Sequence, residues 1–347
     1  MTTEGTRSVH VKLRLAPLIC AFAIAIGVLA CSHAAVSAAT IVMKMGIATV
    51  NDQQHEWLKR YKAAVERDSK GRIEVQIYPA SQLGSIPRMI EDTQFGSIQG
   101  YAGPAEFFTG VDPRYQVLGA PALFETSDQA QRTLEDPELN GPFLALGEAK
   151  GLKGIGLFYY GDNGLNTRRQ IHDASDLKDL KIRDYGGAMQ AALMKSLGIT
   201  GVPMPLDQVM PALQQGAIDG TVSAISTSAA LKYYDAAKYF APLNLSILAV
   251  VVVVSKQWYD GLPPDLQRIV MDDGQAVSHD IYPYTVAFLK SASTTWVSSG
   301  GVTSEFTAAQ LRAVHDLEAH VAADVLSDKP QVKQLYDLVV KVARKYH

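Results

Sequence analysis

Two stretches of this chain carry the same short phrase. Residues 94–100 read Gln-Phe-Gly-Ser-Ile-Gln-Gly and residues 214–220 read Gln-Gln-Gly-Ala-Ile-Asp-Gly. Each follows an amphipathic run and precedes a strand-like stretch. A helix that stops at a left-handed glycine and turns straight into a strand has this form. Two copies in matching context predict two similar α/β lobes, and the cleft between such lobes is a favoured place for a small ligand.

A chain of 347 residues is long enough for two domains. Lys12 and Arg14 precede an apolar run from Leu15 to Ala30, and small residues lead on to Ser37-Ala38-Ala39. That order is expected of a secretory signal peptide over residues 1–39, cleaved after Ala39. The apolar run is short for a membrane span. Val28-Leu29-Ala30-Cys31 loosely matches a lipoprotein signal, the alternative in which Cys31 carries lipid; the Leu before Ala argues against it. Both cysteines, Cys20 and Cys31, fall in this leader, so the mature chain is expected to hold no disulfide, thiolate metal site or cysteine nucleophile. The formal net charge is −3, and loss of the basic leader makes the remainder more acidic. Such a chain offers no basic face to nucleic acid.

Strands are expected at Ile41 to Ala48, Arg72 to Tyr78 and Ile155 to Tyr160, with helical spacing of Trp57, Tyr61, Ala64 and Val65 between the first two. The second lobe is expected to begin near Gly161, with a strand at Lys181-Ile182-Arg183 and a helix from Ala188 to Leu197. The run Ile247 to Val254 is too short to cross a bilayer and reads as a buried strand. Thr307 and Gln310 form a capping box at the head of a helix running through Val325. Strands alternating with helices favour mostly parallel sheets, and ligands sit at the carboxyl ends of such strands. The loops Tyr101–Pro104, Tyr159–Asn163, Arg183–Tyr185 and Thr221–Ser223 are therefore the expected pocket lining.

Catalytic signatures were sought along the chain. His55-Glu56 opens like a zinc-protease helix, but Lys59 stands where the second ligand belongs. His315 and His320 do not share a helix face. Ser175-Asp-Leu-Lys178 matches a penicillin-binding pattern, with a Ser capping a helical turn as the plainer reading. Gly154-Ile-Gly156 lacks the third glycine of a dinucleotide loop. No catalytic residue, metal site or cofactor is expected.

The block from Gly154 to Gly220 resembles the extracytoplasmic solute-binding subunits of tripartite ATP-independent periplasmic (TRAP) transporters, the DctP family. The resemblance rests on Gly151-Leu-Lys-Gly-Ile-Gly156, Arg169-Gln-Ile171, Asp176-Leu-Lys-Asp-Leu-Lys-Ile-Arg183, Pro203-Met-Pro205 and Ala212-Leu-Gln-Gln-Gly-Ala-Ile-Asp-Gly220. Gly71-Arg-Ile-Glu-Val75, Tyr78-Pro-Ala-Ser-Gln-Leu-Gly84, Ala120-Pro-Ala-Leu-Phe124 and Ser255-Lys-Gln-Trp258 extend it over nearly the whole mature chain. It implies an α/β, two-lobed periplasmic solute-binding protein fold with mixed, mostly parallel sheets and a ligand cleft between the lobes. Lobe I would comprise 40–160 plus about 249–288, and lobe II 161–248 plus about 289–347. The protein would be a periplasmic receptor that delivers a small organic acid to the small and large subunits of an ion-gradient-driven permease. An exported enzyme, or a binding protein feeding a sensor or an ATP-driven importer, is the alternative use of the same cleft.

Arg183 matches the family arginine that holds the ligand carboxylate. A guanidinium presents a planar fork to two carboxylate oxygens and stays charged when buried. Asp184 beside it is the competing partner. Asp162 stands where many members have a second arginine, counting back from Arg169, and Ser223 stands where an Asn is frequent. Those departures point away from ligands that need several cations and towards a monocarboxylate. Asp162 is expected either to meet a ligand hydroxyl or ammonium, or orient Arg183, or to be a solvated turn acid with Asn163. Tyr101, Gly103, Phe107, Tyr160 and Tyr185 fall in the pocket loops with Phe108 and Tyr159, where their rings suit an aromatic or apolar tail or simply form core. Asn51, Gln53 and His55 follow the first strand and are placed to reach a ligand or to cap a helix. Glu106 is in range, but an acid beside a turn is expected in solvent.

Overall fold

The longest apolar run becomes the centre of the first sheet. The computed structural model describes residues 40–347, with only Gly5, Thr6 and Ser8 before them. The expected leader, its cleavage point at Ala39, and Cys20 and Cys31 lie outside the described residues. In chain order the strands are β1 (Ile41–Gly46), β2 (Ile73–Tyr78), β3 (Gly100–Pro104), β4 (Leu152–Asp162), β5 (Gly164–Thr167), β6 (Lys181–Asp184), β7 (Thr200–Pro203), β8 (Gly220–Ser223), β9 (Tyr239–Ala241), β10 (Ile247–Ser255) and β11 (Val302–Thr303). One sheet has the order β2-β1-β3-β10-β4 and the other β11-β9-β5-β8-β6-β7. β10 is buried along its whole length, antiparallel to both β3 and β4. A strand covered on both faces cannot alternate polar and apolar residues, which is why it reads as unbroken Val and Ile. Each such side chain removed from water stabilises the fold by about 1.5–3 kcal/mol.

Pairs linked through helices, β1 with β2 and β6 with β7, run parallel. Antiparallel pairs arise where the chain passes between the sheets, as in β10 with β4 and β5 with β9. The sheets are accordingly mixed. Helix Gln53–Asp68 buries Trp57, Tyr61, Ala64 and Val65, the face that the spacing predicts. The Thr307–Gln310 capping box is formed, but the helix it opens ends at Glu318, and Val321–Leu326 is separate. Helix Tyr282–Ser298 touches β4 and the helix Ile225–Ala230. The C-terminal helix Pro330–Ala343 packs on Ser127–Glu135, Pro137–Leu144 and the turn Pro113–Gly119. Among the described residues, no helix is long and apolar enough to cross a membrane.

The repeated phrase does the same work in both places. Helices Ile86–Gln94 and Val209–Gln215 stop at Gly96 (φ +77°) and Gly216 (φ +69°), and β3 and β8 begin at Gly100 and Gly220. After the second stop, Ala217 N–H donates to Ala212 O at 2.9 Å and Gly216 N–H to Leu213 O at 3.2 Å. That pairing satisfies carbonyls the helix end would otherwise leave bare. The closing glycines are required by contact: a Cβ at Gly100 would lie 2.4 Å from Met45 Sδ, and one at Gly220 2.1 Å from Asn166 O.

The two sheets are joined by neighbouring passages. β4 passes into β5 through Asn163, and β9 returns to β10 through residues 242–246. Asn163 N–H donates to Ser246 O at 2.8 Å, and Leu245 N–H donates to Asn163 O at 2.9 Å. The Asn163 amide adds donations to Ser246 Oγ at 3.0 Å and Ile247 O at 3.3 Å.

Candidate functional site

β6 lies between β7 and β8, and its alternation sends Arg183 to the face that looks at the first sheet. Arg183 is 1% exposed. Its Nε donates to Met204 O at 3.1 Å, and its Cζ lies 4.8 Å from the Tyr185 ring centroid and 5.7 Å from that of Phe107. Its Nη2 is buried without a hydrogen-bond partner. Among the described residues no carboxylate forms an ion pair with it. The neighbouring Asp184, the expected competitor, instead accepts from Gly186 N–H at 2.7 Å and closes the turn after β6. A buried guanidinium with an unmet donor is costly unless an acceptor arrives.

Arg183 opens on a cavity between the sheets. Thr49, Gln54, Pro104, Phe107 and Leu248 line it from the first, and Tyr185, Leu206, Ser223 and Thr227 from the second. Its volume is about 20 Å³, room for a water or two and far below the several hundred Å³ of a ligand pocket. The Phe107 and Tyr185 rings meet edge to face across it, 5.6 Å between centroids. An organic acid therefore enters only when the two sides part.

Of the residues expected from sequence, Arg183, Tyr185, Phe107 and Ser223 come together here. Ser223 Oγ donates to Ala224 O at 3.1 Å and stands 3.1 Å from Ser228 Oγ, which donates to it. Tyr185 donates its hydroxyl to Asn163 Oδ1 at 2.8 Å, so Asn163 braces the wall and faces the passages between sheets. Burial pushes the Tyr185 phenol well up. Tyr160 stands one layer behind: its hydroxyl donates to Asp52 Oδ2 at 2.9 Å and lies 2.9 Å from Thr227 Oγ1. Burial raises both the Tyr160 phenol and the Asp52 carboxyl.

Four expected residues do not line the cavity. Gln53 Nε2 donates to Tyr160 O at 2.9 Å, tying the helix to β4, and Gln54 takes the lining position. His55 Nδ1 accepts from Asn51 N–H at 3.1 Å at the head of that helix, and burial lowers its pKa. Tyr101 is fully buried against Gly103, where a Cβ would lie 2.2 Å from its hydroxyl oxygen; both support the wall from behind. Asp162 faces a separate hollow of about 310 Å³ with Phe240, Asn244, Leu289 and Lys290, away from Arg183. Burial, with a lowering contribution from Tyr159, leaves its carboxyl pKa raised.

Glu106, expected in solvent, is 2% exposed, and burial pushes its pKa up to about 7. Ser175 lies inside a turn that Asp173 caps, Oδ1 accepting from Ser175 N–H at 2.8 Å. Among the described residues no group of three or more His, Cys, Asp and Glu is placed to hold a metal ion.

Comparison with known proteins adds to this geometry. The sequence model of "Bacterial extracellular solute-binding protein, family 7" (DctP) matches residues 46–327. The 2,3-diketo-L-gulonate-binding periplasmic protein YiaO of Escherichia coli (strain K12) is 29% identical over 228 residues, 65% of this chain and 68% of that protein. A TRAP periplasmic solute-binding protein from Desulfovibrio salexigens, solved with bound orotic acid, superposes with a TM-score of 0.84 at 22% identity, covering 89% of this chain and 100% of that one. The sugar acid binding protein DctPAm from Advenella mimigardefordensis, in complex with galactonate, gives 0.83 at 20% identity, covering 89% and 99%. At such identities the two structures establish a shared fold.

Proposed function

The chain belongs to the bacterial extracellular solute-binding proteins of family 7, the DctP family, and from that premise we propose that it grips one carboxylate of a small organic acid on Arg183 between two closing lobes. The family and the structural neighbours are substrate-binding transport proteins of the TRAP type, receptors for small organic acids rather than enzymes. The finer reading, a monocarboxylate with an apolar or aromatic remainder, rests above all on one observation. Arg183 is buried with an unfilled Nη2 donor, and among the described residues it is the one cation lining the cavity. A single cation neutralises a single carboxylate. Leu206, Leu248 and the Phe107–Tyr185 pair suit an apolar remainder. The acids named for the three relatives above, diketogulonate, orotate and galactonate, each carry one carboxylate.

In this reading lobe I comprises 40–160 with about 249–288, and lobe II 161–248 with about 289 onward. The C-terminal helix is the exception and goes to lobe I, on whose helices it packs. Residues 1–39 act as a cleavable export signal, and the loaded receptor hands its acid to the small and large subunits of a TRAP permease.

Thermal shift followed by calorimetry on orotate, D-galactonate and succinate tests the reading. A ligand bound only by the folded form raises Tm. Arg183→Ala should weaken binding of a responding acid by about 2–5 kcal/mol, as loss of one partner of a desolvated charge pair does. An acid that binds Arg183→Ala with unchanged Kd refutes the assignment.

A further inference from the structure

One ionisable side chain beside the cleft is left over by the carboxylate grip. Glu106 lies in the helical turn Ala105–Phe108 that follows β3. Neither carboxyl oxygen has a hydrogen-bond partner, although the residue is almost wholly buried. One oxygen rests against Gly119, where a Cβ would lie 3.0 Å from it. The residues flanking its turn, Pro104 and Phe107, line the Arg183 cavity. Glu106 is also close enough to Tyr185 to be felt electrostatically: burial chiefly, and Glu106 in lesser part, raise that phenol, while Arg183 opposes them.

The groups around Glu106 do not supply a counter-charge. β3 contributes Tyr101 and the turn Pro113–Gly119 contributes Arg114 and Tyr115. Helix Ile86–Gln94 contributes Arg88, Glu91 and Asp92, Tyr185 comes from beyond Phe107, and β10 carries no titratable side chain. Arg114 is paired with Asp112, and Arg88 with Glu91 and Asp92. Arg183 is the remaining cation, and it makes no ion pair with Glu106.

We propose that Glu106 takes up a proton from solvent as an anionic ligand docks on Arg183, and that this linkage restricts the site to acids bringing one negative charge. The inference rests on the reading of Arg183 as the carboxylate grip. Before binding, the field of Arg183 favours an ionised Glu106. A ligand carboxylate on Arg183 cancels that field, and the buried acid then holds its proton more tightly. The proton passes from water to a Glu106 oxygen, leaving a cationic Arg183, an anionic ligand and a neutral carboxyl. A second ligand carboxylate would find no cation, and an ionised Glu106 would repel it. The ordinary balance between the forms of Glu106 lies about pH 7, so the uptake falls in the range the protein meets in use.

Calorimetric titration of orotate, D-galactonate and succinate, in phosphate and in Tris, tests this on the wild type and on Glu106→Gln. For the wild type, the heat of a bound monocarboxylate should differ between the buffers, and its Kd should weaken by up to roughly tenfold per pH unit above about pH 7. In Glu106→Gln both dependences should vanish, and succinate should gain on the monocarboxylates. The wild type carries a second readout: the infrared C=O band of a protonated carboxyl should grow on ligand binding at about pH 7.5. A buffer-independent heat with no growth of that band overturns the inference, as does an unchanged pH slope in Glu106→Gln. Failure of all three acids to bind wild type overturns the Arg183 reading, and the inference with it.

Discussion

Replacing Arg183 with Met should abolish ligand binding and leave the empty protein as stable as before, or more so. The guanidinium is 1% exposed, unpaired with any described carboxylate, and short of a partner at Nη2. Exchanging such a buried charge for an apolar chain of similar length is often neutral or favourable by about 1–4 kcal/mol. Against that stand the Nε bond to Met204 O, worth about 1 kcal/mol. The faces of Phe107 and Tyr185 add about 0.5–2 kcal/mol of cation–π attraction in all. Met keeps a favourable sulfur contact with those rings, so the net change is between about zero and 2 kcal/mol of stabilisation. Urea unfolding without ligand measures it, and the thermal shift with a bound acid measures the loss of function. Destabilisation of ligand-free Arg183→Met by more than about 2 kcal/mol would refute the reasoning. It would make Arg183 a strut of the second sheet rather than a cation held ready for an anion.

Two further outcomes follow from buried groups. Glu318, 1% exposed with neither oxygen hydrogen-bonded, has its pKa raised by burial to about 8, from an ordinary 4.5. The folded state thus binds the extra proton, and the stability it confers is full below about pH 4.5 and lost as pH rises through about 8. Glu318→Gln should match wild type in urea midpoint at about pH 5 and exceed it at about pH 8; equal midpoints at both would count against the burial of this acid. Gly220→Ala, with its Cβ 2.1 Å from Asn166 O, should cost at least about 3 kcal/mol or abolish soluble expression. Gly216→Ala, strained only by its positive φ, should cost about 1 kcal/mol in the same unfolding assay.

The architecture was legible where one local cause sets it. Gly96 and Gly216 ended helices because a left-handed stop favours glycine, and β10 announced itself because a doubly covered strand has no polar side. Arg183 and Ser223 were found because they sit at the carboxyl ends of β6 and β8. Asp162 was misplaced for a reason internal to strands. Successive side chains face opposite ways, so a shift of one residue exchanges cleft for exterior. Its neighbour Asn163 is the one that touches the site through Tyr185. Gln53 and His55 yielded the lining position to Gln54 for the equivalent reason on a helix, where adjacent residues point about 100° apart. Glu106 could not be read at all, because its burial comes from the turn Pro113–Gly119 folding over it. Nothing local to Pro104-Ala-Glu-Phe107 records that cover.

Asn163 has a mechanical consequence. Two separate straps between the sheets would let one sheet twist, slide or tilt against the other. These straps are laced at one residue, backbone to backbone in both directions and again through its amide. Laced straps bend as a leaf spring does, stiff to shear and torsion and soft about one axis. The same amide oxygen carries Tyr185, the ring under the Arg183 guanidinium. The pivot and the grip are thus one rigid piece: however far the jaws open, the cation keeps its bearing relative to the axis on which they turn.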